Sequence, residues 1–173
     1  MTGTGLEIER KWLLAEAPSA ADLQALGARA IRIEQVYLRP TPSAPVRRIR
    51  RSEGDGRTEC TYTEKAALSG IVREEREHAI DPAEYPRLLA EADAGRRPVR
   101  KTRHVFAYEG NVLELDVFEQ PPGLVLLEIE FDREDPPEPA LPPQLRVVRE
   151  VSTDPSYFNV TLAQWGFDPT RDA

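Results

Sequence analysis

The chain has little of what most metal and redox chemistry relies on. It carries one cysteine, Cys60, and two histidines, His78 and His104, among 173 residues. A lone cysteine excludes an intrachain disulfide and a thiolate-rich zinc site. Two histidines argue against an imidazole-built metal centre or a Ser-His-Asp triad. No apolar run approaches the roughly 20 residues that a membrane-crossing helix needs, and the mean hydropathy is -0.51. The start, Met1-Thr2-Gly3-Thr4, lacks the basic-then-apolar layout of a secretory leader, so a cytoplasmic location is expected. There is neither a P-loop nor a Rossmann glycine fingerprint.

Charge is plentiful. Acidic residues outnumber basic ones 30 to 23, for a net charge of -7, which disfavours a generic binder of duplex nucleic acid. A small cationic site remains open, because net charge is blind to arrangement. The length suits a single domain spanning 1–173 with room for a real core. Oligomeric state stays open.

Most of the sequence alternates with period two, which predicts strands. Eight are expected, at 6–12, 30–39, 45–53, 57–67, 71–80, 98–109, 112–119 and 124–132. Gly54-Asp55-Gly56 and Gly110-Asn111 read as hairpin turns, and Pro121-Pro122-Gly123 as a break. Helices are expected over 19–28, over 82–94 behind Asp81-Pro82, and over Tyr157–Trp165 with Ser156 as cap and Gly166 past its end. Five prolines in 134–143 make that stretch an extended connector. The fold class is therefore α+β, mainly β and antiparallel.

Charged residues recur two apart, and residues i and i+2 of a strand project from one face. Successive strands give Glu7, Glu9 and Lys11; Arg48 and Arg50; Thr63 and Lys65; Arg73, Glu75 and Glu77; Lys101 and Arg103; Glu114 and Asp116; Glu128 and Glu130. The alternate positions are apolar, as in Leu113-Leu115-Val117 and Leu127-Ile129-Phe131. Seven bases and eight acids cannot line a dry core, because each buried ion costs several kcal/mol. Two geometries accommodate a wet charged face: a sheet solvated on one side, or a small barrel turned inside out around a charged tunnel. Sorting of sign by strand, and helices that need an apolar surface to cover, favour the second. His78, His104 and Cys60 fall on the opposite face and are expected to pack or be solvated. Arg47 and Arg51 also point away and are expected to be solvated. Trp12 and Trp165 are expected to anchor the core beneath the C-terminal helix.

The ordered series Glu7-Ile8-Glu9-Arg10-Lys11, Arg48-Ile49-Arg50, Thr63-Glu64-Lys65, Arg73 to Glu77, Lys101-Thr102-Arg103, Glu114-Leu115-Asp116 and Glu128-Ile129-Glu130 resembles the CYTH superfamily, also called triphosphate tunnel metalloenzymes. The resemblance implies a closed eight-stranded antiparallel barrel with helices packed outside. It also implies hydrolysis of a triphosphate, above all inorganic tripolyphosphate, with Mg²⁺ or Mn²⁺. Adenylate cyclase, thiamine triphosphatase and non-catalytic polyphosphate or nucleotide binding are the alternatives. By resemblance, Glu7, Glu9, Glu128 and Glu130 would hold metal, with Glu75, Glu77, Glu114 and Asp116 as further candidates. Lys11, Arg48, Arg50, Lys65, Arg73, Lys101 and Arg103 would bind the phosphates. Tyr37 resembles the tyrosine that short bacterial members pair with the motif lysine, here Lys11. Like charges around Lys11 would favour its neutral form and permit proton transfer with Tyr37. Ser156 stands where the family leads one to expect a basic residue.

Overall fold

In the computed structural model the described backbone covers residues 2–69, 72–133 and 135–170, and the described side chains 8–64, 76–133 and 135–170. Among these residues the strands are β1 (Thr2–Leu14), β2 (Arg29–Leu38), β3 (Val46–Gly54), β4 (Arg57–Ser69), β5 (Val72–Ala79), β6 (Val99–Tyr108), β7 (Asn111–Gln120), β8 (Val125–Phe131) and β9 (Val147–Glu150). They form one sheet in the order β5-β4-β3-β2-β6-β7-β8-β1-β9, with β1 also paired to β5. All pairings are antiparallel. The sheet has nine strands, not the expected eight. The addition, β9, pairs with only Trp12, Leu13 and Leu14 of β1, and four residues reading Val-Val-Arg-Glu carry no alternation that would announce it.

Two of the turns are built from left-handed residues. Asp55 and Gly56, at φ 51° and 71°, join β3 to β4, and Glu109 and Gly110, at 45° and 81°, join β6 to β7. Positive φ at both central positions is the hairpin turn that matches strand twist. The second turn sits one residue earlier than expected, so Asn111 opens β7.

The helices are shorter than the patterns suggest. α1 (Ala20–Ala25) starts as expected at Ser19, whose side chain and that of Asp22 cap each other's backbone. α2 spans only Tyr85–Leu89. Asp81 does cap Ala83 with a 2.7 Å hydrogen bond, but that closes a turn rather than a helix. α3 (Asn159–Trp165) follows a short 3-10 turn (Pro155–Tyr157) that Asp154, not Ser156, caps. Gly166 ends α3 at φ 77°.

Three apolar clusters organise the layers. Trp12, Phe106, Leu113, Leu115, Leu127 and Ile129 pack under Leu23 of α1 and Leu26 just past its end. Val36, Leu38, Ile49, Cys60 and Ile80 pack under Tyr85 and Leu88 of α2. Both clusters sit on the strand face opposite the charged pairs. Cys60 is the packed thiol expected, and burial pushes its pKa up. The third cluster differs. Leu13, Tyr37, Val99, Phe118 and Leu126 meet Tyr157, Leu162 and Ala163 around α3. Leu13 has the parity of Lys11, Phe118 that of Asp116, and Leu126 that of Glu128. One end of the charged face is thus an apolar floor, where the sequence pattern had placed all grease on the other side.

Both tryptophans depart from expectation. Trp12 is 3% exposed but belongs to the cluster beneath α1, with Arg10 stacked 4.9 Å from its ring, while Trp165 is 76% exposed. Arg47 departs too. It is not solvated but bonds Tyr62 Oη at 2.8 Å, Arg39 O at 3.0 Å and Glu91 at 2.9 Å, tying the end of α2 to the sheet.

Leu127 is fully buried and Val112 is 59% exposed. Urea unfolding of Leu127→Ala should show a loss of about 2–5 kcal/mol, whereas Val112→Ala should stay within about 0.5 kcal/mol of the wild type.

Candidate functional site

The charged pairs do not spread over an open surface. Lys11, Arg48, Thr63, Lys101, Asp116 and Glu128 are all buried, which rules out a freely solvated sheet face. Lys11 and Lys101 survive burial because each meets a carboxylate across a strand boundary, and Arg48 pairs with the Tyr37 hydroxyl. Lys11 Nζ on β1 lies 2.6 Å from both Glu9 and Glu128. Arg103 on β6 spreads its guanidinium over three acids: Asp116 at 2.7 Å, Glu128 at 2.6 Å, and Glu114. Lys101 bonds Asp116 and lies 5.1 Å over the Phe118 ring. On the far side Arg50 and Thr63 both donate to Glu77, at 3.2 and 2.8 Å. The face is therefore not wet throughout. Its deep part is a dry, self-neutralising ion-pair network.

Register brings these groups together. Lys11 stands opposite Glu128, and Glu9 opposite Glu130. Arg103 stands opposite Asp116, Glu114 opposite Glu128, and Arg48 opposite Tyr37 and Thr63. Glu7, Lys65, Arg73 and Glu75 have side chains outside the described residues. Their backbones pair Glu7 with Arg73 and Lys65 with Glu75.

The network sets the proton affinities. For Lys11, burial works against the charged form, but Glu128 and Glu9 outweigh it and the pKa rises. The expectation of a neutral Lys11 is overturned, since its nearest charges are carboxylates rather than cations. Tyr37 is pushed up by burial, and its hydroxyl pairs with Arg48, with Lys11 acting on it only as a nearby charge. The pKa of Lys101, by contrast, falls, because burial there exceeds the pull of Asp116. Glu128 resists burial, and Lys11, Lys101 and Arg103 hold its pKa well below the carboxylate range. Burial raises that of Glu114.

Beyond the network the same face opens into a cavity of about 600 Å³. Arg50, Arg103 and Glu114 line its inner part, Ile31 and Ile33 one wall, and Arg29, Asp55 and Arg57 its rim. Residues of β2, β3, β4, β6 and β7 thus share one concavity. The sequence pattern missed the rim arginines, which sit at strand ends outside any charged pair. It also missed Gln35, 1% exposed, which shares the Ile33 and Tyr37 face of β2. The signal was available in period-two spacing back from Tyr37, but a neutral amide does not stand out among charges.

The carboxylates form an all-oxygen donor set, which suits a hard divalent cation. Glu9 and Glu128 already converge on one point, the Lys11 ammonium. Among the described residues no three metal-ligating side chains close on a common point, since Lys11 and Arg103 occupy the places between them. The donor chemistry fits Mg²⁺ or Mn²⁺.

The family model of the CYTH domain matches residues 5–144. Among solved structures, the inorganic triphosphatase NE1496 is 30% identical, with a TM-score of 0.54 over 91% of this chain and 94% of that one. A second structure of NE1496, described as a hypothetical protein, gives 32% identity and 0.56 over 91% and 97%. PH1819 from Pyrococcus horikoshii OT3 shares the fold at 23% identity and 0.55, over 75% and 79%. The curated proteins yield no match.

Asp116→Leu should destabilise the fold by about 3–5 kcal/mol in urea unfolding, since it takes the carboxylate from Lys101 and two hydrogen bonds from Arg103, and adding Lys101→Met should recover only part of that loss. Glu128 has a depressed folded-state pKa, so its contribution is present above the ordinary carboxylate value of about 4.3 and is lost as pH falls through the folded value. Stability measured from about pH 5 to pH 2 should fall less steeply in Glu128→Gln than in the wild type.

Proposed function

The chain belongs to the CYTH domain family, and from that premise we propose that it is a cytoplasmic, divalent-metal-dependent triphosphatase acting on inorganic tripolyphosphate. The observation that carries this reading is the cavity whose inner end is lined by Arg50 and Arg103, beside the buried cations Lys11, Arg48 and Lys101. Arginine forks suit phosphoryl oxygens, and phosphoryl transfer asks a protein for positioning and charge neutralisation more than for covalent chemistry. The triphosphatase activity of a relative 30% identical, over nearly its whole length, supports the reaction type.

On this reading residues 1–173 are one domain and the sheet wraps into the eight-stranded closed barrel of the family, with β9 as an addition. Pairing of β1 with both β8 and β5 supports that closure. Lys11, Arg48, Arg50, Lys65, Arg73, Lys101 and Arg103 bind the phosphates. Lys11, held protonated, serves as a point charge or proton donor rather than a base, and Tyr37 holds Arg48 in place. Glu7, Glu9, Glu128 and Glu130 would hold Mg²⁺ or Mn²⁺, with Glu75, Glu77, Glu114 and Asp116 as further donors. Such a cation supplies charge neutralisation and Lewis-acid polarisation of phosphoryl oxygens. Apart from Ile31 and Ile33 on one wall, the lining is mostly charged and polar and contains no aromatic side chain to stack on an adenine or thiamine ring, which favours a chain of phosphoryl groups.

Purified protein with Mg²⁺ or Mn²⁺ should release phosphate from tripolyphosphate in preference to ATP or thiamine triphosphate, and EDTA should stop it. Cyclic AMP and pyrophosphate from ATP would identify a cyclase instead, and tight binding without turnover a binding module. Arg50→Gln should raise KM for tripolyphosphate on the order of tenfold to a hundredfold, the loss of one charge-assisted hydrogen bond, while shifting Tm little.

A further inference from the structure

Strand β1 changes partner at its charged pair. Among the described residues, one of its edges pairs with β5 as far as Ile8 and with β9 from Trp12 onward. Lys11 lies between these two stretches, and its backbone is held by the segment just past β9. The Lys11 N–H donates to Ser152 Oγ at 2.9 Å, and its carbonyl accepts from the Val151 N–H at 2.8 Å. A buried N–H has to find an acceptor, and here a side chain supplies what the carbonyl of a neighbouring strand would. Ser152 is 4% exposed, and its hydroxyl donates in turn to Glu150. Arg10 grips the same carboxylate at 2.9 and 2.6 Å and reaches Glu138 at 2.8 Å. Arg10, Glu150, Ser152 and Lys11 thus close a ring of contacts that clamps residues 10 and 11 of β1.

The clamp matters for what Lys11 has to do. Its ammonium is anchored by Glu9 and Glu128, each at 2.6 Å. On the triphosphatase reading it exchanges those carboxylates for phosphoryl oxygens, and its side-chain anchors go with them. A lysine stem is long and flexible, so what then fixes the ammonium is the place where the stem leaves the backbone. Ser152 sets that place. A displacement of about 1 Å at a reacting centre can cost on the order of a hundredfold in rate.

We propose that Ser152 is a positioning residue for Lys11, fixing the β1 backbone so that the ammonium keeps its place when it turns from carboxylates to phosphate. This rests on the triphosphatase reading and deepens it. The hydroxyl touches no substrate and acts through the Lys11 backbone alone. Glu150, held by Arg10, takes the hydroxyl proton and so keeps an oxygen lone pair turned to the Lys11 N–H. Glu9 and Glu128 hold the ammonium whether or not Ser152 is there, so its loss shows in turnover before it shows in stability.

Ser152→Ala removes the acceptor. With tripolyphosphate and Mg²⁺, kcat should fall on the order of tenfold to a hundredfold while KM stays within about twofold. Without metal or substrate, the Lys11 amide of that variant should exchange its hydrogen faster than in the wild type. Ser152→Thr keeps the hydroxyl and should recover most of the lost kcat. Lys11→Gln keeps the backbone but not the charge, and adding Ser152→Ala to it should lower the residual kcat by less than about twofold, because no ammonium is left to place. Glu150→Gln loosens the clamp from the surface and should show the same loss of kcat at constant KM to a lesser degree, which decides the matter if Ser152→Ala fails to fold. Unchanged kcat in Ser152→Ala, or in Glu150→Gln where that variant must stand in, overturns this inference alone. So does a threonine variant no better than alanine, or the full loss repeated beside Lys11→Gln, either of which marks a purely structural serine. A wild type inert toward every triphosphate overturns the triphosphatase reading with it.

Discussion

The structure depends on compensation of buried charge across strand boundaries. Lys11, Lys101 and Arg103 meet Glu9, Glu114, Asp116 and Glu128 where β1, β6, β7 and β8 lie side by side. No one of these groups is tolerable there alone, since an unpaired buried ion costs several kcal/mol. A strand that slipped by one residue would turn its charges to the other face and leave their partners stranded. The network therefore fixes register as firmly as apolar packing does, and it selects a single arrangement of the sheet.

Around this network the apolar residues do two different jobs. On the outer face they form ordinary packed layers beneath α1 and α2. At one end of the charged face they form a floor, with Leu162 and Ala163 of α3 closing it. Among the described residues the charged groups open onto the cavity, where Arg29 and Arg57 stand at the rim. A low-dielectric floor directly behind a cationic wall also strengthens every electrostatic contact made at that depth. In the proposed function this is where the phosphate chain ends.

Pairing within the network has a chemical consequence. Carboxylates that could bind a cation are already engaged by Lys11 and Arg103, and cations that could bind phosphate are already engaged by carboxylates. Binding of an anion together with a divalent cation would exchange partners rather than bury new net charge. The seven cations and eight carboxylates of the motif positions carry -1 in sum, close enough to neutral for that exchange to need little reorganisation.

The sequence by itself determined eight of the nine strands, the place of the two hairpin turns to within a residue, the sidedness of the charged pairs whose side chains are described, and membership of a family, because each rests on local spacing or on residues in fixed order. Period two is a property of the extended chain, and Asp55-Gly56 reaches its turn whatever lies around it. The short helices were less legible: only five residues of the expected 82–94 segment are helical, since Tyr85 and Leu88 needed only one turn to cover their part of the sheet. Tertiary structure alone decided the rest. It determined that the charged face is dry where Lys11, Glu128 and Arg103 meet, that Leu13, Phe118 and Leu126 make a floor, and that Trp165 faces solvent while Gln35 is sealed in. Those outcomes depend on which strands lie beside one another and on what covers them, and protonation follows from such neighbours. The Lys11 pKa is raised because Glu128, from a strand far along the chain, joins Glu9 of β1 at its ammonium, and no spacing along β1 contains that second carboxylate.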